Sequence, residues 1–496
     1  MAKKIVATLL AVATMLCMVI PASATVDLTS HTFEAYQIFT GSLNDAGQLE
    51  DIQWADGVDS AAINTALNLA SDATAAAAAE KIAAMSESDA QDFAATVYAA
   101  KGTSAAITGT GSITYPSAGW YVVADTTDVS SKVDAKNLTL TYVAKAGETV
   151  TPTVKTDVPS FEKKVKDTND STGETTEWQD SADYDIGDTI PYKLTAKLGD
   201  LSKYDKYYLE FSDTMNHLTL VDGSVEVKIG GENGTALNSD QYVMTWDAAS
   251  KKLSVVIYDV KGAGASSNQE VVVLYKATLD SDALIGSAGN PNTANLEFSN
   301  NPNNSGDGSS KPETGKTPDD TCIVFTYKVT ADKYADKVSD ETKLTGAGFT
   351  LYKKNASGEY EAVGTEVKGE AMTNFAWTGI DDGDYKLVET TVPAGYKKMD
   401  DMLFTVTADH DVLSDNPKLN SLSATGTQGS SEVTLEAVKD DGSITGELHT
   451  NIVNHSGQTL PSTGGMGTTI FYVVGGVLMA AAFVLLITKK RMSHEG

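Results

Sequence analysis

Short segments in which apolar and polar residues alternate, separated by Gly, Asn and Asp, run through most of this chain. Alternation with a period of two is the pattern of a strand with one buried and one exposed face. Many short strands between turn residues are typical of β-sandwiches. Because this pattern dominates from Val150 onward, the sequence predicts a mainly β protein built from tandem immunoglobulin-like sandwiches.

An Ala-rich stretch from Ser60 to Gly102 departs from the strand pattern and predicts a helical insertion, with Ser71 or Asp72 as its candidate cap. Alternating segments flank it, so we predict an N-terminal α+β domain over residues 25–150. A loop at residues 300–316, rich in Asn, Gly, Ser and Pro, predicts a boundary between two sandwiches. We place these sandwiches at residues 151–312 and 319–458.

Both ends of the chain carry apolar runs that predict export. Lys3 and Lys4 precede the uncharged run Ile5–Ile20 and a small-residue cleavage site ending at Ala24, the pattern of a signal peptide over residues 1–24. Near the other end, the uncharged run Ile470–Ile487 is followed by basic residues, which predicts a membrane span within residues 460–496.

Charge and cysteine content narrow the possible partners and the sources of stability. The 496 residues include 67 acidic and 37 basic ones, for a formal charge of −30, and the only arginine is Arg491. Because affinity for nucleic acid rests on basic side chains, a nucleic-acid partner is excluded. Removal of Cys17 with the signal peptide leaves Cys322 without an intrachain disulfide partner.

The segment before the membrane span is Leu460, Pro461, Ser462, Thr463 and Gly464. It resembles the Leu-Pro-x-Thr-Gly sorting signal of Gram-positive surface proteins. The resemblance implies that a sortase cuts between Thr463 and Gly464 and passes the Thr463 carboxyl to an amine. We therefore expect a protein anchored to peptidoglycan in the cell wall, with a precursor held transiently in the membrane.

The last sandwich contains the phrase Tyr385–Thr390 followed by Pro393–Tyr396, with Leu344–Tyr352 ahead of it. Together these segments resemble the collagen-adhesin B-type modules of Gram-positive pilins and their E box. Such modules form a spontaneous Lys–Asn isopeptide bond with a carboxylic acid as catalyst. A neutral amine and a protonated acid are both favoured by burial among apolar side chains, so the three residues should point inwards.

Strand parity selects the residues of this triad. Lys333 shares its face with Phe325, Tyr327, Val329 and Ala331, and Glu389 shares its face with Tyr385 and Leu387. Asn454 lies on the face of Leu448 and Ile452. We therefore predict an isopeptide bond between Lys333 and Asn454, with Glu389 as its catalyst.

The middle sandwich carries a diverged version of the same arrangement. The segments Ile186–Tyr192, Phe211–Met215 and Asn292–Asn300 resemble the second domain of fimbrial backbone subunits. Parity favours Lys163 over Lys164 and places Asp213 on the apolar face of its strand. It also favours Asn292 over Asn295, although both asparagines remain open. The predicted triad is Lys163, Asp213 as catalyst, and Asn292.

The segment from Thr149 to Lys155 precedes the middle sandwich and resembles the pilin motif, whose lysine accepts the Thr carboxyl of the next subunit. Pro152 and Lys155 are separated by two residues, so the usual Tyr-Pro-Lys is absent. Lys155 is thus either the acceptor or an ordinary linker lysine. As acceptor it would join identical subunits head to tail in an open filament.

These observations predict the major structural subunit of a sortase-assembled pilus. The chain lacks a Gly-x-Ser-x-Gly motif, a phosphate loop, paired cysteines and a histidine ligand cluster, so we expect no enzymatic activity, no cofactor and no metal. The expected partners are a sortase, identical subunits and peptidoglycan. The alternative is a monomeric wall-anchored adhesin. The sortase, other pilin partners, a host ligand and a crosslink in the first domain remain open.

Overall fold

The computed structural model describes residues 26–44, 49–130, 132, 134–136, 138–143, 145–152, 158–457 and 466–492. The chain is mostly β, in agreement with the predicted fold class. The predicted signal peptide, the sorting signal at Leu460–Gly464 and the acceptor Lys155 lie outside the described residues.

The first domain is a sheet of order β2-β1-β5-β6, with β3 beside β1, covered on one face by three helices. Its elements are β1 (Thr32–Leu43), β2 (Leu49–Trp54), α1 (Ser60–Ala66), α2 (Ala75–Ala83), α3 (Glu87–Ala99), β3 (Ile107–Thr110), β4 (Ile113–Thr114), β5 (Gly119–Asp125), β6 (Leu138–Val143) and β7 (Thr149–Val150). Alternate residues of β5 serve the two faces: Val122 packs with the helices, and Tyr121 packs on the opposite side.

The helical insertion consists of three helices, each of which begins at an N-cap side chain. Asp59, Thr74 and Ser86 each accept a hydrogen bond from a backbone N–H of the following helix. The expectation of a cap at Ser71 or Asp72 is therefore wrong. Those two residues lie in a turn, and the true cap of the Ala-rich α2 follows them.

The middle domain is a sandwich of two sheets around one core, of orders β14-β13-β17-β10-β8 and β15-β16-β11-β18-β20-β9. Its strands are β8 (Ser160–Val165), β9 (Ser181–Asp183), β10 (Thr189–Lys197), β11 (Leu209–Met215), β12 (Leu218–Leu220), β13 (Glu226–Ile229), β14 (Thr235–Ala236), β15 (Val243–Asp247), β16 (Lys252–Ile257), β17 (Glu270–Leu279), β18 (Asn290–Ser299), β19 (Thr314–Lys316) and β20 (Asp320–Phe325).

The third domain has its own core and a ten-stranded sheet that folds round it, of order β23-β22-β26-β27-β28-β29-β30-β21-β25 with β24 beside β22. Its strands are β21 (Tyr327–Ala335), β22 (Gly348–Lys354), β23 (Tyr360–Ala362), β24 (Val367–Lys368), β25 (Asn374–Ile380), β26 (Gly383–Thr391), β27 (Met402–His410), β28 (Leu419–Gln428), β29 (Ser431–Asp440) and β30 (Ser443–Asn454). The first and last of these strands, β21 and β30, pair in parallel.

The transition between the two sandwiches falls one strand later than the 319–458 range predicts. Strand β20 pairs antiparallel with β18 and parallel with β9, so it belongs to the middle domain. Only Thr326 separates it from β21. One extended chain segment therefore leaves one sandwich and enters the next.

Helix α4 (Met466–Met492) follows the third domain. Its segment Tyr472–Lys489 has a mean hydropathy of 2.0 and no part of it is buried. The helix is long and apolar enough to cross a membrane, as expected from the sequence.

Candidate functional site

The middle sandwich brings Lys163, Asp213 and Asn292 together in its core. Lys163 lies on β8, in one sheet, whereas Asp213 and Asn292 lie on the paired strands β11 and β18 of the other sheet. All three side chains are fully buried. They meet because each occupies an inward position on its strand, so the two sheets point them into the same interior.

A fourth residue, Tyr275 on β17, connects the members of this cluster. The Lys163 Nζ lies 2.5 Å from Asp213 Oδ2 and donates to Tyr275 Oη at 2.8 Å. Tyr275 donates its hydroxyl proton to the same Asp213 oxygen at 2.6 Å, and Asn292 Nδ2 donates to Tyr275 Oη at 2.8 Å. The tyrosine hydroxyl thus contacts the amine, the carboxyl and the amide.

The surroundings of this cluster are aromatic and dry. Tyr192 stacks on Tyr275 with ring centroids 5.2 Å apart, and Lys163 Nζ lies 5.0 Å from the centre of the Tyr192 ring. Burial, and after it the Asp213 charge, raises the pKa of Tyr275 well above its ordinary value. Among the described residues, Asp213 Oδ1 and Asn292 Oδ1 have no hydrogen-bond partner. A buried oxygen without a hydrogen bond costs free energy, so these two oxygens destabilise the cluster in its uncrosslinked state.

The two competing residues face outwards. Lys164 Nζ pairs with Asp180 Oδ1 at 2.5 Å, and Asn295 Nδ2 donates to Asp319 Oδ1 at 2.8 Å. Both side chains are only partly buried. The geometry therefore favours Lys163 and Asn292, the residues that parity selects.

The third domain brings Lys333, Glu389 and Asn454 together in the same way. Asn454 Oδ1 accepts a hydrogen bond from Lys333 Nζ, and Asn454 Nδ2 donates to Glu389 Oε1 at 2.6 Å. The Lys333 Nζ is 3.6 Å from the same carboxyl oxygen. Glu389 is held by the backbone N–H of Met399, which donates to Oε2 at 2.9 Å. All three cluster side chains are 0–1% exposed.

Burial makes Lys333 a weaker base than an exposed lysine. Its removal from water lowers its pKa to about 8, although the nearby Glu389 acts in the opposite direction. Phe349 contributes to the apolar surroundings, with its ring centre 5.6 Å from the amine. A lysine with this pKa supplies the neutral amine needed for nucleophilic attack near physiological pH.

The parallel pairing of β21 with β30 explains why Lys333 and Asn454 meet. In the register of these strands Lys333 lies opposite Ile452 and Ala335 opposite Asn454, so the two cluster residues are diagonal neighbours on one face. Glu389 approaches from β26 across the core. The amine and the amide therefore come from adjacent strands and the carboxyl from a distant one.

Sequence reasoning missed Tyr275 and a further buried lysine, Lys353. Lys353 Nζ contacts Asp381 and lies 2.7 Å from Asp170 and 2.9 Å from Asp185, joining the middle and third domains. Burial by itself would lower the pKa of Lys353, but the Asp381 and Asp185 charges outweigh it and raise that pKa. The alternation of β22 offers a signal for Lys353, which shares its face with Phe349 and Leu351.

Comparison with known proteins identifies the class of domain. Residues 186–302 match the family model described as Gram-positive pilin backbone subunit 2, Cna-B-like domain. Residues 331–418 match a prealbumin-like fold domain, and residues 452–494 match the LPXTG cell wall anchor motif. The chain thus carries domains that match Gram-positive backbone pilins together with a wall anchor motif, and its homologues are structural pilin subunits and not enzymes.

A curated relative and two solved structures accompany these matches. The chain is 27% identical over 396 residues to the trypsin-resistant surface T6 protein of Streptococcus pyogenes serotype M6, covering 69% of this chain and 70% of that protein. The solved T6 backbone pilin has a TM-score of 0.51 at 19% identity, covering 88% of this chain and 98% of that one. The major pilin SpaD of Corynebacterium diphtheriae has a TM-score of 0.45 at 17% identity, covering 87% and 94%.

This chain is homologous to the T6 backbone pilin. Its anchor motif and C-terminal apolar helix indicate a surface pilus anchored in the cell wall, with a transiently membrane-bound precursor. Pilin polymerisation, sortase processing and wall attachment follow at this general level.

Proposed function

We propose that this backbone pilin is clamped internally by two isopeptide bonds, Lys163–Asn292 and Lys333–Asn454, with Asp213 and Glu389 as the catalytic acids. The observation that carries the proposal is that each lysine is fully buried in a cluster with a carboxyl and an asparagine. Lys333 contacts Asn454 directly, whereas Lys163 contacts Asp213 and shares the Tyr275 hydroxyl with Asn292. Buried lysines of this kind are rare unless paired, and here each has a reaction partner as well.

The reaction proceeds from a neutral amine and a protonated carboxyl. The lysine Nζ attacks the asparagine Cγ, and a C–N bond forms while the carboxyl protonates the amide oxygen. The carboxylate then takes a proton from the attacking nitrogen and passes it to the departing NH2 group. As the C–NH2 bond breaks and ammonia leaves, the oxygen reforms the carbonyl and returns its proton to the carboxylate, so the catalytic acid ends as it began. In the third domain, Glu389 Oε1 lies 2.6 Å from the nitrogen that must leave.

Intact mass tests the crosslinks. Full-length chain purified in detergent should weigh about 34 Da less than its processed sequence, about 17 Da for each ammonia released. Lys163→Ala and Lys333→Ala should each release only one ammonia, because each variant can form only one of the two bonds. Lys164→Ala, a neighbouring lysine paired with Asp180, should keep both. An unshifted wild-type mass would refute the crosslinks.

We further propose that a sortase cleaves after Thr463 and joins its carboxyl to Lys155 of the next subunit, with the last subunit transferred to peptidoglycan. The matched anchor motif supports the cleavage site. Lys155 stands between β7 of the first domain and β8 of the middle domain, whereas Thr463 follows the third domain. A link between these positions joins the end of one subunit to the junction after the first domain of the next subunit. Repeating this head-to-tail link builds an open filament and not a closed ring.

Immunoblots of surface extracts distinguish a polymer from the alternative monomeric adhesin. Wild type should give a ladder of high-mass bands resistant to denaturation, and Lys155→Ala should give a single anchored band. Lys145→Ala is the matched control, because Lys145 is an exposed lysine ten positions away, and it should keep the ladder. A ladder that persists in Lys155→Ala would move the acceptor to another lysine, and a single band in wild type would favour the adhesin.

A further inference from the structure

Three side chains that are far apart in sequence meet where the middle and third domains touch. Asp167 follows β8, Asp183 ends β9, and His410 ends β27. The His410 Nε2 lies 3.8 Å from Asp167 Oδ2 and 3.8 Å from Asp183 Oδ1. The side chains of His410, Asp167 and Asp183 are 8%, 14% and 4% exposed. One donor atom from each lies within 4.8 Å of the others.

Hydrogen bonds on the far side of the imidazole fix its orientation. Ser181 donates its hydroxyl proton to the carbonyl of Asp411 at 2.7 Å. The same Oγ lies 2.7 Å from His410 Nδ1 and must therefore accept the Nδ1 proton. In the neutral ring this leaves a lone pair on Nε2, which points between two carboxylates. A hydrogen-bonded Nδ1 with a free Nε2 is the usual arrangement of a metal-binding histidine.

The two carboxylates are held by backbone N–H groups and not by a lysine. The N–H of Asp183 donates to Asp167 Oδ2 at 3.3 Å, and the N–H of Asp382 donates to Asp183 Oδ2 at 3.2 Å. Within the described part of the chain, no lysine forms an ion pair with Asp167 or Asp183. His410 is therefore the basic side chain that faces this pair of carboxylates.

Tyr327, on the first strand of the third domain, also contacts this cluster. Its side chain is fully buried, and its hydroxyl interacts with the Asp183 carboxyl. Tyr327 therefore belongs to the polar surroundings of the cluster and helps to hold Asp183 in place.

We propose that Asp167, Asp183 and His410 form a site for a divalent transition metal, of which Zn²⁺ is the best fit, and that the metal ties the middle domain to the third. One imidazole and two carboxylates favour such an ion over Ca²⁺, which takes six to eight oxygens. Ligands of tetrahedral zinc, bonded at about 2.0–2.1 Å, lie about 3.3 Å apart, so small side-chain shifts suffice. The ligands come from three separate segments of the chain, so no short sequence motif identifies them.

A neighbouring acidic group serves as an internal contrast. Asp170, Asp185 and Asp188 also bring three carboxylate oxygens together at this interface. There, however, the Lys353 ammonium already lies 2.7 Å from Asp170 and 2.9 Å from Asp185. That group has its cation, and the proposal does not extend to it.

Calorimetric titration tests the site on the full-length chain in detergent after treatment with a chelator. ZnCl2 should bind at one equivalent per wild-type chain, and CaCl2 at the same concentrations should not. His410→Gln should weaken zinc binding by more than the about 10- to 100-fold that loss of an outer-shell partner costs. His455→Gln is the matched control, because His455 is an exposed histidine 3.8 Å from a single carboxylate, that of Asp336. It should bind zinc as wild type does.

Asp167→Asn provides a second variant that removes a ligand charge and keeps the side-chain shape, and it should weaken zinc binding as well. Circular dichroism of each variant verifies that it is folded. Absence of stoichiometric zinc binding by the wild type would overturn the proposal. So would wild-type affinity in both His410→Gln and Asp167→Asn, or binding of Ca²⁺ in preference to Zn²⁺.

Discussion

The Tyr275 hydroxyl contacts the amine, the carboxyl and the amide of the middle cluster, and among the described residues no tyrosine does the same in the third cluster. In the third domain Lys333 and Glu389 both contact Asn454 directly. In the middle domain the Asn292 amide nitrogen reaches the other groups through the Tyr275 hydroxyl. The two clusters should therefore differ in their dependence on a tyrosine.

We predict that Tyr275→Phe slows formation of the middle crosslink. The change leaves buried polar groups without their common partner, at a cost of about 1–3 kcal/mol, or roughly 5- to 150-fold in rate. The measurement is the rate of ammonia loss by mass after chain from inclusion bodies is refolded from urea. Tyr208→Phe is the control, because its side chain is buried in the same domain but its hydroxyl donates to Glu210 Oε2 at 2.8 Å, outside the cluster. Equal rates in the two variants would contradict a role for the Tyr275 hydroxyl.

The pH dependence of the Lys333 crosslink tests whether Glu389 acts as an acid. The reactive form has a neutral Lys333 amine and a protonated Glu389 carboxyl. It therefore carries as many protons as the ion pair of a Lys333 ammonium and a Glu389 carboxylate. Raising the pH above the Lys333 pKa of about 8 removes the shared proton, so the rate should be flat up to about pH 8 and then fall about tenfold per unit. Peptide mapping of refolding chain measures it. A rate that rises as the pH passes 8 would contradict this role, because it would show that the reaction needs the neutral amine but not a protonated Glu389.

Loss of the fold does not account for a fall in rate at high pH. The folded pKa of Lys333 lies below its ordinary 10.5, so the unfolded chain binds more protons between about pH 8 and 10.5. By linkage, this group makes the uncrosslinked fold more stable as pH rises through that window. Tryptophan fluorescence recorded in the same samples would verify that the chain has folded.

Side-chain direction was predictable at this scale, but the contacts were not. A period of two fixes the face on which Lys163 and Asn292 lie, and both are buried as parity requires. Tyr275 looks like any inward aromatic residue in the sequence, and its importance comes from partners on three other strands. His410 and Asp183 are joined only by the packing of two domains, which strand patterns do not encode.

At the level of elements, the parallel pairing of β21 with β30 places the proposed Lys333–Asn454 bond between the first and last strands of the third domain. Parallel neighbours need a long connection, and here the connection is the rest of the domain. The bond would therefore close almost the whole domain into one loop. Tension applied to the ends of the domain would then pass through the bond and leave the sheet intact.

We predict that Asn454→Ala lowers the thermal stability of the third domain substantially. Closing a loop of about 100 residues restricts the unfolded chain by about 4–5 kcal/mol in the chain-entropy model, and the variant cannot form this bond. Differential scanning calorimetry should show one domain transition shifted to lower temperature. Asn451→Ala, an exposed change on the same strand, should leave it in place. Coincident transitions in both variants would show that the bond adds no stability.

The elements that sequence analysis misplaced have local causes. The Ala-rich stretch was expected to be helical, but Thr74 and not Ser71 or Asp72 caps α2, since several polar residues there can serve as caps. The sequence places β20 in the third domain because this strand follows the loop of residues 300–316. Its partner β18 precedes that loop, so the compositional break does not coincide with the structural one.

At the scale of the whole molecule, the middle and third domains are held together by a charged joint. Lys353 of the third domain lies between Asp170 and Asp185 of the middle domain, and it also contacts Asp381 of its own. Backbone hydrogen bonds cross the same joint, including that from the N–H of Ile186 to the carbonyl of Gly379 at 3.0 Å. The proposed crosslinks stabilise each domain from within, so the joint becomes the weakest part between them.

We predict that Lys353→Met opens this joint while both domains stay folded. Removing one member of a buried ion pair typically costs about 3–5 kcal/mol, because the remaining charges lose their partner. Amide hydrogen exchange should therefore speed up by about 100-fold or more at Ile186 and Asp381, whose N–H groups bond across the joint. Core strands of either domain should keep their protection. Lys354→Met is the control, since Lys354 pairs with Asp384 nearer the surface. Unchanged exchange at Ile186 in Lys353→Met would show that the domains are held by packing alone.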